Sequence, residues 1–261
     1  MYDAAIVNEA LRLSRDGLSD RTIAQICGVS VAAVRKWRYG TRRGSRDPAF
    51  PERWDGRVKR DCPRCFGRPL DRRKYAYLLG VYLGDGHIVA TAKGCFRLSL
   101  SCCAGWPGLV EAAACSMAAV LPRSKVHRRH VSGAVDVNSQ SKHWPCLFPQ
   151  HGPGKKHARR IALEAWQQEI VDEFTEELVR GLIHSDGCRS LNRVRRPLKG
   201  GDRFYTYPRY TFTNRSPDIQ RIFTAALDRL DVPWRQMNAM NVSVARRAAV
   251  ARLDEFVGPK Y

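Results

Sequence analysis

Leu78-Leu79-Gly80-Val81-Tyr82-Leu83-Gly84-Asp85-Gly86 is echoed further along the chain by Val179-Arg180-Gly181-Leu182-Ile183-His184-Ser185-Asp186-Gly187. Each stretch is apolar, with small residues four apart: Gly80 and Gly84 in the first, Gly181 and Ser185 in the second. Small side chains at that spacing let two helix backbones approach closely, so the two stretches are expected to pack against each other as helices. Each then ends at Asp-Gly, where glycine readily takes the left-handed conformation that stops a helix. One Asp-Gly reads as a plain helix stop. Two of them, after matching helices, mark a repeat.

A carboxylate at a helix C-terminus is poorly placed, because that end of the helix dipole is also negative. Bringing Asp85 and Asp186 together adds mutual repulsion. A bound divalent cation relieves both problems, so the pair reads as a metal site with oxygen ligands.

The segments downstream of the two motifs are also alike. After the first come strand-like segments (HIVATA, CFRLSLSCC), a helix (WPGLVEAAACSMAAVL), two more strands (KVHRRHV, AVDVNSQ) and a short helix around HWPCLF. After the second come RSLNRV and RFYTYPRYTFTN, the helix SPDIQRIFTAALDRL, short strands (PWRQMN, NVSVARR) and the helix AAVARLDEF. Each half is expected to run helix-strand-strand-helix-strand-strand-helix, an α+β fold of tandem αββαββα repeats. The expected divisions are 1–40, 41–73, 74–148, 149–173 and 174–261, with the fourth a linker carrying an extra helix (LEAWQQEIVDEF).

The two motifs, with their matching downstream order, resemble the dodecapeptide motif of the LAGLIDADG (DOD-type) homing endonucleases. The resemblance covers roughly residues 74 to 257. It implies a pseudo-two-fold saddle over double-stranded DNA, in which the motif helices form the seam and two four-stranded sheets form the DNA-binding face. It implies that Asp85 and Asp186 hold Mg²⁺ (or Mn²⁺), helped by the carbonyls of Gly84 and Ser185, for phosphodiester hydrolysis. It also implies a basic residue near the end of the fourth strand of each half. Lys142 and Arg246 occupy those places, the arginine being a departure from the pattern. Each is equally readable as an ordinary phosphate contact.

Period-two alternation supports the saddle. Phe96, Leu98 and Leu100 alternate with Arg97, Ser99 and Ser101; Tyr210 and Phe212 alternate with Arg209, Thr211 and Thr213. Arg97 and Arg209 are therefore expected on the open faces, suited to phosphate or guanine. Lys125, Arg129, Asp136, Asn138 and Arg189 would extend those faces, a solvated strand face being the plain alternative.

Residues 1–40 read as a small all-α unit. An apolar stripe (Ala4, Ile6, Val7, Ala10, Leu11, Leu13) closes at Gly17. A short helix with Ile23, Ala24 and Ile26 on one side comes next, then the turn Gly28-Val29-Ser30 and a third helix capped by Ser30. This spacing matches a helix-turn-helix with Arg35, Lys36 and Arg38 free to meet DNA. The alternative is a generic three-helix packing unit. Residues 41–61 (TRRGSRDPAFPERWDGRVKRD) read as a basic linker. It leads to Cys62-Pro-Arg-Cys65, one half of a zinc knuckle. Cys95, Cys102, Cys103, His151 and His157 are candidate partners, but none repeats the spacing.

Composition points the same way. In 261 residues, 45 Lys and Arg outnumber 25 Asp and Glu, a net charge of +20. Such an excess attracts nucleic acid and should give salt-sensitive binding. A hydrophobic share of 44% fits a globular chain. No apolar run is long enough to span a bilayer, and the N-terminus lacks a signal-peptide layout. The expectation is a cytoplasmic, nucleoid-associated monomer with both halves in one chain. The nine cysteines are expected to be mostly reduced thiols. The chain does not look like an intein, since its ends lack splice-junction nucleophiles. The leading expectation is a site-specific DNA endonuclease. The alternatives are a non-cleaving DNA-binding regulator on the same scaffold, and an RNA-directed role such as assisting intron splicing, which a basic face alone does not separate from DNA binding. His87 and His184, near the seam, are residues that could alter metal binding.

Overall fold

The computed structural model describes residues 2–39, 61–198 and 201–260. The chain divides into two compact units, Met1–Arg60 and Asp61–Tyr261.

In the first unit, helices α1 (Ala4–Arg15), α2 (Asp20–Ile26) and α3 (Val31–Tyr39) enclose a small core of Ala10, Leu13, Ile23, Ala24, Ala33, Val34 and Trp37. The local signals are physical ones. Ser19 accepts the Thr22 N–H and Ser30 accepts the Ala33 N–H, each capping a helix start. Gly17 and Gly28 take positive φ at the turns. Ile26, expected inside, is 56% exposed. Most of the expected basic linker, residues 41–60, lies outside the described residues. The end of that division, from Asp61 on, belongs to the second unit, because Cys62 is buried there and Asp61 accepts the Arg123 N–H.

The second unit is α+β, built as two copies of one pattern. The first copy begins after the short helix α4 (Pro63–Phe66) and contains α5 (Arg72–Asp85), β1 (Gly86–Ala90), β2 (Phe96–Cys103), α6 (Pro107–Val120), β3 (Val126–Val131), β4 (Ala134–Ser141) and α7 (Trp144–Leu147). A connecting stretch carries α8 (Ala165–Glu173). The second copy contains α9 (Thr175–Asp186), β5 (Gly187–Leu198), β6 (Gly201–Thr213), α10 (Pro217–Arg229), β7 (Arg235–Asn238), β8 (Asn241–Val244) and α11 (Arg247–Val257). Both sheets are antiparallel with the same order, β1-β2-β4-β3 and β5-β6-β8-β7. The helix-strand-strand-helix-strand-strand-helix order read from the sequence is thus the observed one. The β5–β6 ribbon is much the longer of the two hairpins, 12 and 13 residues against 5 and 8 for β1 and β2.

The motif helices α5 and α9 pack against each other through their glycines. A Cβ on Gly80 would lie 2.5 Å from the Leu178 carbonyl oxygen, 2.8 Å from Leu182 N and 2.9 Å from the Gly181 Cα. No flexible side chain stands there to move aside, so only glycine permits the approach. Around this seam Tyr75, Leu78, Leu79, Leu83, Leu178, Val179 and Leu182 are fully buried and join the sheets' inner faces in one core. The glycines after the aspartates differ from expectation. Gly86 and Gly187 have φ of −89° and −100°, extended backbone rather than left-handed. They are small because the chain turns straight from helix into strand: a Cβ would lie 2.6 Å from the Tyr82 Cα and 2.6 Å from the Ile183 Cα.

Candidate functional site

Helices α5 and α9 end side by side, and each delivers its aspartate to the seam. A Cβ on Gly84 would collide with the Ser185 hydroxyl and lie 3.1 Å from the Asp186 Cγ, so Gly84, Ser185 and Asp186 are in close contact. The Ser185 hydroxyl itself turns back to the Gly181 and Leu182 carbonyls at 3.1 and 3.0 Å. Asp85 is exposed at the open edge of the seam, although the packing of α5 against α9 takes part of its hydration away. Burial first, and Asp186 second, push its carboxyl up to about 6. Burial also raises Asp186, but the Asn214 amide donates to its Oδ2 at 2.6 Å and holds it back.

Asn214 is itself fixed. Its Oδ1 accepts the Ser216 N–H at 2.8 Å, and its carbonyl accepts from Gln220 at 2.7 Å. In the β1–β2 register Gly86 faces Leu100, and in the β5–β6 register Gly187 faces Phe212. The position equivalent to Asn214 is therefore Cys102, whose thiol burial raises to about 11. One aspartate has an amide partner and the other a neutral thiol nearby, so the two carboxylates are not equivalent.

Two lysines complete the site. The Lys156 ammonium donates to the carbonyls of Tyr82, Leu83 and Gly84 at 2.5, 3.0 and 2.7 Å, capping the end of α5. Lys260 donates to the Gly187 carbonyl at 2.5 Å, just past the end of α9. Burial lowers both lysines, Lys156 to about 8, against the opposing pull of both aspartates. A cation at a helix C-terminus is favoured by the orphan carbonyls and the dipole. Two carboxylates and two ammonium groups thus share one small region.

The sequence reading missed Lys156, Lys260 and Asn214. A signal for the lysines was present: Gly152-Pro153 precedes Lys156, and Gly258-Pro259 precedes Lys260. The residues expected in the lysines' place are elsewhere. Val137 is level with Leu100 and Gly86, and Lys142 lies five residues further along that strand direction. At about 3.4 Å per residue this is roughly 17 Å from the Asp85 end of the sheet. Arg246 likewise lies beyond Val242, which is level with Phe212 and Gly187; it is the residue just before α11 and lines a surface hollow with Arg209, Trp234 and Met237.

The donor set at the seam suits a hard divalent cation. Asp85, Asp186 and the Gly84 carbonyl offer oxygen only, and the three carbonyls around Lys156 already attract one positive charge. His184 is no ligand here. Its Nε2 pairs with the Val257 carbonyl at 2.9 Å and its Nδ1 with the Tyr77 hydroxyl at 3.1 Å, and burial lowers its pKa to about 4. It is a neutral core histidine joining α5, α9 and the end of α11.

The strand registers sort the remaining candidates. Arg97 pairs with Gln140, Ser99 with Asn138 and Ser101 with Asp136; on the other side of β4, His127 pairs with Asn138 and Arg129 with Asp136. Cross-strand partners share a face, so Arg97, Arg129 and Asn138 lie on the sheet face opposite Leu98, Leu100 and Val137. Lys125, one residue before β3 and exposed, precedes His127 by two and extends that row. Arg129 and Asn138 both contact Asp136, at 3.6 and 3.0 Å. Arg209 occupies the position of Arg97 in the second half, and among the described residues the Nε of each is buried without a partner. Arg189 does not belong to this group. It pairs with Tyr210, an inward residue, and makes a two-pronged ion pair with Asp254 of α11 at 2.7 and 2.8 Å. In the first unit Arg35 and Lys36 are exposed, but Arg38 is half-buried and ion-paired to Asp20 across α2 and α3. Arg35 also reaches Asp20, at 3.3 Å.

Among the described residues no helix is long and apolar enough to cross a membrane. No family model matches the sequence, and no curated protein matches it. Solved structures do resemble it. A mesophilic variant of the homing endonuclease I-DmoI is 15% identical with a TM-score of 0.48, over 71% of this chain and 96% of that one. The LAGLIDADG meganuclease I-AabMI bound to uncleaved DNA is 10% identical with a TM-score of 0.45, over 70% and 82%. The N-terminal LAGLIDADG domain of DUF199/WhiA is 7% identical with a TM-score of 0.42, over 79% and 91%. At these values the likeness is one of architecture alone.

Proposed function

We propose that this chain is a site-specific, metal-dependent endonuclease of double-stranded DNA, of the LAGLIDADG homing type, acting as a monomer. The observation that carries the reading is the pairing of Asp85 and Asp186 at the ends of two glycine-packed helices, with Lys156 and Lys260 beside them. Asp85, Asp186 and the Gly84 carbonyl would hold Mg²⁺ or Mn²⁺. When bound, such a cation supplies Lewis-acid polarisation of the phosphoryl oxygens and makes a nucleophile of water at neutral pH.

The side chains have definable parts in this scheme. Asn214 keeps Asp186 oriented and favours its ionised form. Lys156, held on the three carbonyls at the end of α5, would bring positive charge to the seam and offset negative charge growing on a phosphate. Arg97 and Arg209, on equivalent open faces, would contact the duplex, with Arg129, Lys125 and Asn138 extending the first face. The first unit, read as a helix-turn-helix, would add affinity through Arg35 and Lys36.

A second reading is supported by the same lysines. Lys156 and Lys260 already supply positive charge at the seam, which would let a DNA-binding regulator keep both aspartates without cutting. The test is cleavage of a plasmid library carrying the gene's own genomic neighbourhood, with Mg²⁺ or with EDTA, for wild type and Asp85→Asn/Asp186→Asn. Discrete Mg²⁺-dependent ends that vanish in the double variant support the enzyme. Tight, salt-sensitive binding without cutting in any divalent ion leaves the regulator.

A further inference from the structure

Cys62 and Cys65 find partners that the sequence spacing did not suggest. His143 and Cys146, just before and on α7 respectively, come to them across the whole first half, and the four ligand atoms all lie within 4.8 Å of one another. We infer that Cys62, Cys65, His143 and Cys146 form a closed, structural Zn²⁺ site of the Cys₃His type.

Three observations carry this. The first is dimension. With Zn–S near 2.3 Å and Zn–N near 2.0 Å, a tetrahedral ion sets its ligand atoms about 3.5–3.8 Å apart. The Cys65 and Cys146 sulfurs are 3.5 Å apart and the Cys146 sulfur is 3.8 Å from His143 Nδ1. A disulfide would need about 2.05 Å.

The second is the loop. Cys62-Pro-Arg-Cys65 turns as a single helical turn, closed by Gly67 in the left-handed conformation, φ 60°. This brings the Cys62 and Cys65 sulfurs within 4.8 Å of each other, the arrangement of a zinc-knuckle pair.

The third is the support around the ligands. Phe66 packs edge-on against the His143 ring at 5.4 Å. Trp144, fully buried, donates to the Ser139 carbonyl at 3.0 Å. The Leu147 carbonyl accepts from Tyr75 of α5 at 2.5 Å. The knuckle therefore ties the chain entering α5 to the helix that closes the first half. Three sulfurs and a ring nitrogen are soft to borderline donors, the choice of zinc and the opposite of the oxygen set at the seam. With every position filled by protein, the ion would brace rather than catalyse.

The test uses the full chain, expressed in zinc-replete medium and purified under reducing conditions. Metal analysis should find stoichiometric zinc. Replacement by Co²⁺ should give the absorption of a tetrahedral thiolate site. Cys65→Ser/Cys146→Ser should lose both, and chelation should lower the wild-type Tm. Should the double variant fail to fold, His143→Cys decides: it should keep the metal and shift the Co²⁺ spectrum towards an all-sulfur site. The inference is overturned by a chain that purifies without zinc, by zinc retained in the double variant, by a Co²⁺ spectrum unmoved in His143→Cys, or by a Cys65–Cys146 disulfide found before reduction. None of these readings depends on DNA cleavage.

Discussion

The Lys156 ammonium stands on the Gly84 carbonyl at 2.7 Å, one residue ahead of Asp85. The end of α5 therefore carries a cation of its own, supplied by a residue far along the chain. A helix stop has become a place where positive charge collects.

If Lys156 serves the reaction, Lys156→Met should lower cleavage by about 100-fold or more while leaving target binding nearly unchanged. Lys156→Arg should recover part of the rate, since it keeps the charge but not the titration. Single-turnover cleavage beside a binding assay separates the effects. Wild-type cleavage by Lys156→Met would reduce the lysine to a helix cap.

The pH dependence stems from Asp85. Its folded carboxyl is raised to about 6 from an ordinary value of 3.8. A raised acid favours the protonated folded form, so the metal-free protein should lose stability as pH climbs from about 4 through 6. A divalent ion needs the ionised form, so its affinity should rise by up to about tenfold per pH unit below 6 and level off above. Titration with Ca²⁺ at several pH values, beside Tm without metal, tests both trends. Asp85→Asn should weaken both trends, leaving the part that Asp186, also raised by burial, contributes.

Gly80→Ala should destabilise the second unit by about 3 kcal/mol, at the upper end of ordinary overpacking costs, because backbone stands opposite and little can yield. Gly181→Ala should do the same, the Tyr77 carbonyl and the Gly80 Cα being in the way. Denaturant midpoints measure it. A loss under about 0.5 kcal/mol would mean that α5 and α9 are not in backbone contact at these glycines.

The strand faces give a contrast. Arg97→Ala and Arg209→Ala should each weaken DNA binding and reduce the slope of log affinity against log salt by about 1. Arg189→Ala should leave that slope unchanged and lower Tm instead, since its partner is Asp254. Binding measured across a salt series, together with melting curves, would reveal a misassigned face.

Asn214→Ala removes the donor on Asp186. The carboxyl of Asp186 should then titrate higher, and divalent affinity at pH 6 should fall more than at pH 8. An equal fall at both pH values would make Asn214 merely a support for the start of α10.

The parts of this molecule that were legible in the sequence were those governed by period and repetition. Alternation placed Leu98, Leu100 and Phe212 inward, and the doubled small-residue pattern brought Gly80 to Gly181. Contacts made across long stretches of chain were not legible. Lys156 reaches Gly84 from 72 residues away, and Lys260 reaches Gly187 from 73; no local pattern encodes such distances, although the paired Gly-Pro steps hinted at them. Arg189 shows the opposite failure. It was read by its nearness to Asp186, but the alternation of the strand turns it toward α11. His143 and Cys146 escaped notice because HWPCLF read only as the short helix that closes the first half.

The unequal hairpins give the molecule a front and a back. The sheets match in strand order, yet β5 exceeds β1 by seven residues, about 24 Å of extra reach on one arm. A duplex lying along the two sheets would be touched further out on one side of the seam than on the other. Its recognition sequence would therefore have a polarity, with the longer half-site under β5 and β6, and the same DNA presented in reverse would be a different ligand.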